Sequence, residues 1–166
     1  MPTAPAPTLL SADHLAMMDG GVSVIVSSCG TDLAPSVMRA VGSHIGDGGR
    51  RITVFVCRSQ STQLLRDVAR SARLAAVFSQ PSTHRTVQLK TRAARLREAT
   101  DADVPALQRY LRGMEIELTR IGFGAVYARA MLAHRLDDVV AIEFEPELAF
   151  DQTPGPKAGQ PIVGMP

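Results

Sequence analysis

The densest set of anion-holding groups in this chain is Arg58, Ser59, Ser61 and Thr62, in a segment that leaves an apolar run and enters a helical period. A cation, three hydroxyls and the free N–H groups of a first helical turn are the donors that a phosphate or carboxylate seeks. The same Ser/Thr cluster serves equally well as a plain helix cap, and the residues alone leave both readings open. His84 and Arg85 form a second polar pair, facing either a bound group or solvent at the start of a strand. Cys29 and Cys57 are the only cysteines; neither has a Cys-x-x-Cys or Cys/His spacing, so they read as buried thiols in a reducing cytoplasm. His14, His44 and His134 show no metal-ligand spacing. Glu143, Glu145 and Glu147 alternate, which predicts a solvated sheet edge that discourages strand pairing. No nucleophile with a matching base stands out.

These groups need elements to hold them. Ser11 caps a short helix that Gly20-Gly21 ends, and Val22, Val24 and Val26 mark a strand with one buried face. Ser36 to Gly42 reads as a second strand, Ser43 to Gly49 as a loop, and Arg51 to Cys57 as a third strand, together a meander. The period then changes from two to 3.6: Leu64, Leu65, Val68 and Ala72 share a helix face. Leu74 to Phe78 and Thr86 to Lys90 read as paired antiparallel strands around a Pro81-Ser82 turn, and Arg92 to Arg97 as a continuation of that sheet. A helix starts at Thr100 or Asp101 and is punctuated at Gly113. A second helical stretch, Val126 to His134, precedes a strand over Val139 to Phe144 and a last short one at Leu148 to Phe150. Short strands with interspersed helices and no β-α-β rhythm predict an α+β, barrel-like domain.

A chain of 166 residues, 45% hydrophobic and 20% charged, suits one domain with a sizeable core. The net charge of +2 is small and its cations are dispersed, and Trp is absent, so nucleic acid is not an expected partner. No apolar run is long enough to span a membrane, and Met1 to Thr8 lacks the basic start of a signal peptide. The expected location is therefore cytoplasmic.

The ordered block from Val54 to Leu96 resembles the pyridoxamine 5′-phosphate oxidase-like family. Strand Val54-Phe55-Val56-Cys57, helix Thr62 to Ser71, strand Leu74 to Phe78, Arg85-Thr86-Val87 and Arg92-Ala93-Ala94-Arg95-Leu96 follow that family's order and spacing without gaps. The resemblance covers about a quarter of the chain. It implies a split β-barrel of six or more mostly antiparallel strands with peripheral helices. Residues 11–150 would form this single domain, between a flexible tail at 1–10 and a Pro/Gly-rich tail at 151–166. It also implies a homodimer with FMN in a groove between subunits. By position, Val37, Met38 and Arg39 would lie beside the flavin, Cys57 and Arg58 under it, and Ser59, Ser61 and Thr62 around its phosphate. Arg85 and Thr86 would stand where the family has Arg-Gln, Thr86 replacing the Gln that reaches the ring. Gln63-Leu64 replaces the family's phosphate-clamping Arg-Lys, and no Trp is available to hold a pyridoxal phosphate, so vitamin B6 oxidation is not the expected activity. Two functions follow from the resemblance. One is an FMN-dependent oxidoreductase on a small substrate. The other is a non-catalytic dimeric module that stores or senses a flavin, a deazaflavin or haem, or that has lost its cofactor.

Overall fold

A computed structural model describes residues 9–163. Most of the expected N-terminal tail, residues 1–8, and positions 164–166 lie outside the described residues. Helix α1 (Ala12–Asp19) is capped as its sequence predicts: the Ser11 hydroxyl accepts from the His14 N–H, and the His14 ring faces the Ser11 N–H in return. Nine strands follow among the described residues: β1 (Ser23–Cys29), β2 (Pro35–Arg39), β3 (Gly42–Gly46), β4 (Arg51–Cys57), β5 (Leu74–Ser79), β6 (Thr86–Thr91), β7 (Arg95–Glu98), β8 (Val139–Phe144) and β9 (Leu148–Asp151). Helix α2 (Thr62–Ser71) sits between β4 and β5, and α3 (Val104–Arg120) and α4 (Ala125–Met131) between β7 and β8. Every pairing is antiparallel, in a five-stranded sheet of order β2-β1-β5-β6-β9 and a four-stranded sheet of order β3-β4-β8-β7.

The core lies between the sheets. Val24 and Val26, Ala76 and Phe78, and Val87 and Leu89 turn inward from the five-stranded sheet toward Ile52, Val54, Val140 and Ile142 of the other. Alternation was therefore a sound guide on β1 and β6. Strand β4 is buried on both faces, because Phe55 and Cys57 pack outward against Ala106 and Leu107 at the start of α3. The apolar stripe of α2, Leu64, Leu65 and Val68, joins the main core.

The expected meander of three strands is corrected. The chain changes sheet at Ala40-Val41: the Ala40 N–H donates to Val24 across one sheet (2.9 Å) and the Val41 N–H to Phe55 across the other (2.7 Å). What read as a loop is strand β3, Gly-Ser-His-Ile-Gly, in which Ile45 is the one β-branched residue to mark a strand. A Cβ on Gly42 would stand 2.7 Å from the Leu107 side chain, which would have to move to admit it. Arg92 to Arg97 likewise does not extend β6; β7 belongs to the second sheet.

Helix α3 runs straight through Gly113. That glycine is a contact point rather than a terminator, because a Cβ on it would meet the Gly20 carbonyl oxygen at 2.2 Å. The glutamate-bearing strand is no edge either. β8 is flanked by β4 and β7, and Glu143 accepts from Arg97 Nε at 2.6 Å, a cross-strand ion pair that makes a charged residue tolerable there. After β9 the chain turns back, with Phe150 bridged to Pro161 and the Ile162 N–H bonded to the Ala149 carbonyl (2.8 Å). Among the described residues, no helix is long and apolar enough to cross a membrane.

Candidate functional site

The amino end of α2 is reached through a single 3-10 turn, Arg58–Gln60, that follows Cys57 at the end of β4. Ser61 stands at the N-cap and its carbonyl accepts from the Leu65 N–H (2.9 Å), but its hydroxyl makes no capping bond. That hydroxyl is buried and has no hydrogen-bond partner among the described residues. The N–H groups of Thr62, Gln63 and Leu64 are consequently uncapped at the positive end of the helix dipole.

The charged half of the cluster is engaged. Arg58 donates to both oxygens of Glu98 (2.6 and 2.5 Å), a residue of β7. Ser59 donates its N–H (2.9 Å) and its hydroxyl (2.6 Å) to Asp138, in the turn before β8. Those bonds from Ser59 hold the Asp138 carboxyl below the usual range, so it is an anion at neutral pH. Burial, with a smaller push from the Asp138 charge, raises the Cys57 thiol, which stays protonated and acts as a packed apolar group.

Gln63, which stands where the resembled family carries Arg, has a structural task here. Its amide donates to Asp67 Oδ1 (2.8 Å), and the Ser36 hydroxyl of β2 donates to Asp67 Oδ2 (2.6 Å). Asp67 is 2% exposed; the Ser36 bond ties α2 to β2, and Gln63 braces Asp67 from within the helix. With Ser36 fixed inward, the pleat turns Val37 and Arg39 outward and leaves Met38 packed against the core.

The outer face of the five-stranded sheet gathers a polar row. Arg39 Nη1 donates to the Ser23 hydroxyl (2.7 Å), Ser23 pairs in register with Ser79, and the Ser79 and Thr86 hydroxyls lie 2.8 Å apart. The Thr86 N–H reaches the Thr153 hydroxyl at 3.0 Å. Arg39 and Thr86, 47 positions apart in the chain, thus share one face, three strand spacings or roughly 14 Å apart. Arg85 does not join them; it pairs with Asp13 of α1 at 2.5 Å. His84 stands at the β5–β6 turn with φ of 60°.

The sequence-derived residues therefore fall into two groups. Cys57, Arg58, Ser59, Ser61 and Thr62 are held together by chain continuity, while Val37, Arg39 and Thr86 are brought together by the sheet. Glu98, Asp138, Asp67 and Ser36 were missed, and no local signal marks them, since Glu98 and Asp138 lie 40 and 79 residues from the groups they bind.

No protein-family profile matches the chain, and no curated protein matches it. Solved structures do. The fold is the split barrel of the pyridoxamine 5′-phosphate oxidase-like proteins, which bears out the resemblance carried by Val54 to Leu96 and the expected α+β class. HupZ of group A Streptococcus superposes with a TM-score of 0.55 at 10% identity, over 90% of this chain and 99% of that one. A Lactobacillus delbrueckii protein, provisionally described as a pyridoxamine 5′-phosphate oxidase, gives 0.54 at 13% over 85% and 93%. An F420 reductase gives 0.54 at 12% over 84% and 98%. At such identities the likeness concerns the fold.

Proposed function

We propose that this protein is a homodimeric split-barrel protein that binds a flavin-type cofactor, with FMN as the specific candidate and a small-molecule oxidoreductase as the activity. The observation that carries the reading is Ser61: a buried hydroxyl without a partner at the uncapped amino end of a helix, a neutral cradle for a phosphate. Ser61, Thr62 and the first-turn N–H groups would hold that phosphate, and Arg39 and Thr86 would flank the ring. FMN, when bound, supplies the redox chemistry, while this chain binds and orients it. A second copy of the chain would cover the outer sheet face, where Val37 is 59% exposed beside half-buried Ile25 and Val77. Support from relatives is limited to their descriptions: one is an F420 reductase and one a provisional pyridoxamine 5′-phosphate oxidase.

A second reading rests on the carboxylates. Glu98 and Asp138 occupy the donors of Arg58 and Ser59, and an arriving phosphate meets two anions. This favours a module that takes no anionic group at this helix end, or that holds no cofactor.

Absorbance of the purified full-length protein, and its thermal stabilisation by FMN, riboflavin and F420, separate the readings. FMN bound more tightly than riboflavin, with the difference lost in Ser61→Ala, is the expected result. Equal effects of FMN and riboflavin would exclude a phosphate cradle. No stabilisation by any of the three would favour the module without a flavin, and sedimentation reads the dimer independently.

A further inference from the structure

At the end of the five-stranded sheet away from Thr86, where β1 ends, β5 begins, β6 ends and β9 begins, the surface holds an open cavity of about 520 Å³. Small-molecule sites typically measure roughly 300–1,000 Å³. Cys29, Leu74, Ala75 and Leu148 supply its apolar wall, and Arg73, Lys90 and Arg92 its charge. It uses none of the residues of the α2 site. Four residues of strand separate Lys90 from Thr86, about 13 Å at ~3.3 Å per residue.

The three cations are among the ten of the chain's 18 that form no ion pair within the described residues. Eight other arginines form the ion pairs among the described residues, each with a carboxylate, whereas Arg73, Lys90 and Arg92 take part in none. Lys90 Nζ lies 4.9 Å above the Phe150 ring, which orients the ammonium without neutralising it. The single acid of the cavity, Glu147, accepts at Oε1 from the Thr91 hydroxyl (3.1 Å) and the Arg92 N–H (2.7 Å), so three cations and one carboxylate line it. The lining therefore carries a net positive charge beside an apolar wall.

We propose that this cavity binds an organic acid, its carboxylate among Arg73, Lys90 and Arg92 and its apolar body on Leu74, Ala75 and Leu148. Guanidinium forks suit a planar carboxylate, and the apolar wall discriminates against a bare inorganic anion. The claim rests on residues of one chain and does not depend on flavin binding.

Cys29 lines the cavity and is partly exposed, while Cys57 is buried, so the protein carries its own reporter. The experiment follows modification of Cys29 by the neutral reagent 4,4′-dithiodipyridine on the folded full-length protein. Decanoate below its micelle concentration or 2-naphthoate is expected to slow the reaction at least tenfold, and decyltrimethylammonium, 1-decanol and inorganic phosphate less than twofold. Removing the charges in R73Q/K90Q/R92Q is expected to abolish protection while Cys57 stays unmodified. Failure of both acids to protect, equal protection by the neutral or cationic analogue or by phosphate, or protection that survives charge removal would each overturn the proposal. Should the triple variant not fold, the ligand series on the wild type decides.

Discussion

Replacing Glu117 by Gln removes one charge and almost no volume from a carboxylate of α3 that is 3% exposed. Glu117 accepts from the Ser82 hydroxyl (2.6 Å), the Ser82 N–H (3.2 Å), Gln80 Nε2 (3.1 Å) and Arg120 Nη1, and so pins the β5–β6 turn to α3. That turn sets the start of β6 and with it Thr86. An amide has one acceptor oxygen, so its NH2 must face donors. Gln80 now has its oxygen on the Thr83 hydroxyl (2.8 Å), so turning it to help means that this hydroxyl must reorient as well. At least one buried donor is left unpaired and several charge-assisted bonds become neutral, which costs about 3 kcal/mol. For a chain of this length that is a fall in Tm of roughly 6–12 °C. Arg120 is 58% exposed, so Arg120→Met, which removes only the solvent-screened partner, costs under about 1 kcal/mol. Urea unfolding of both variants at neutral pH measures the two values. An E117Q protein within about 1 kcal/mol of wild type, or an R120M protein as damaged as E117Q, would refute the view that a buried acceptor, and not a surface ion pair, holds this turn.

Acid titration should expose the same group. Burial raises the Glu117 carboxyl, but the bonds from Ser82 and Gln80 and the nearby Arg120 charge outweigh it and leave the group below its ordinary value of 4.5. Hydrogen bonds from Arg97 hold Asp103 down in the same way, against a smaller opposing effect of burial. Both carboxylates bind protons more weakly folded than unfolded, so their stabilisation is complete above the unfolded values and drains as pH falls through the folded ones. Tm followed between about pH 3 and 7 should fall less steeply with acid in Arg97→Met and in E117Q than in wild type; parallel curves would show that these groups do not set acid stability. Gly113→Ala should destabilise the fold by about 3 kcal/mol or more, since its Cβ meets backbone that cannot rotate away. Gly48→Ala, with nothing within 4 Å but φ of +63°, should cost only about 1 kcal/mol, and equal losses in denaturant unfolding would contradict the close contact at Gly20-Gly21.

Elements that depend on nearest neighbours could be read from the chain alone. Val24 and Val26, Val87 and Leu89, the stripe of α2 and the Ser11 cap carry their period or their chemistry within a few residues, because burial of one face imposes a spacing of two or 3.6. The order of strands and helix from Val54 to Leu96 was enough to suggest the split barrel. Sheet membership was not legible, since it is decided by which carbonyl each amide meets: Ala40 and Val41 are adjacent in sequence yet bond to different sheets. Gly113 looked like punctuation because its reason, the backbone at Gly20, is 93 residues away. The site divides along the same line. Arg58, Ser59, Ser61 and Thr62 could be found as donors at a helix start, but only the tertiary structure brings Glu98 and Asp138 to two of them and leaves Ser61 unpaired. Charge and hydrogen-bond balance belong to neighbours in space, and chain folding alone assigns those.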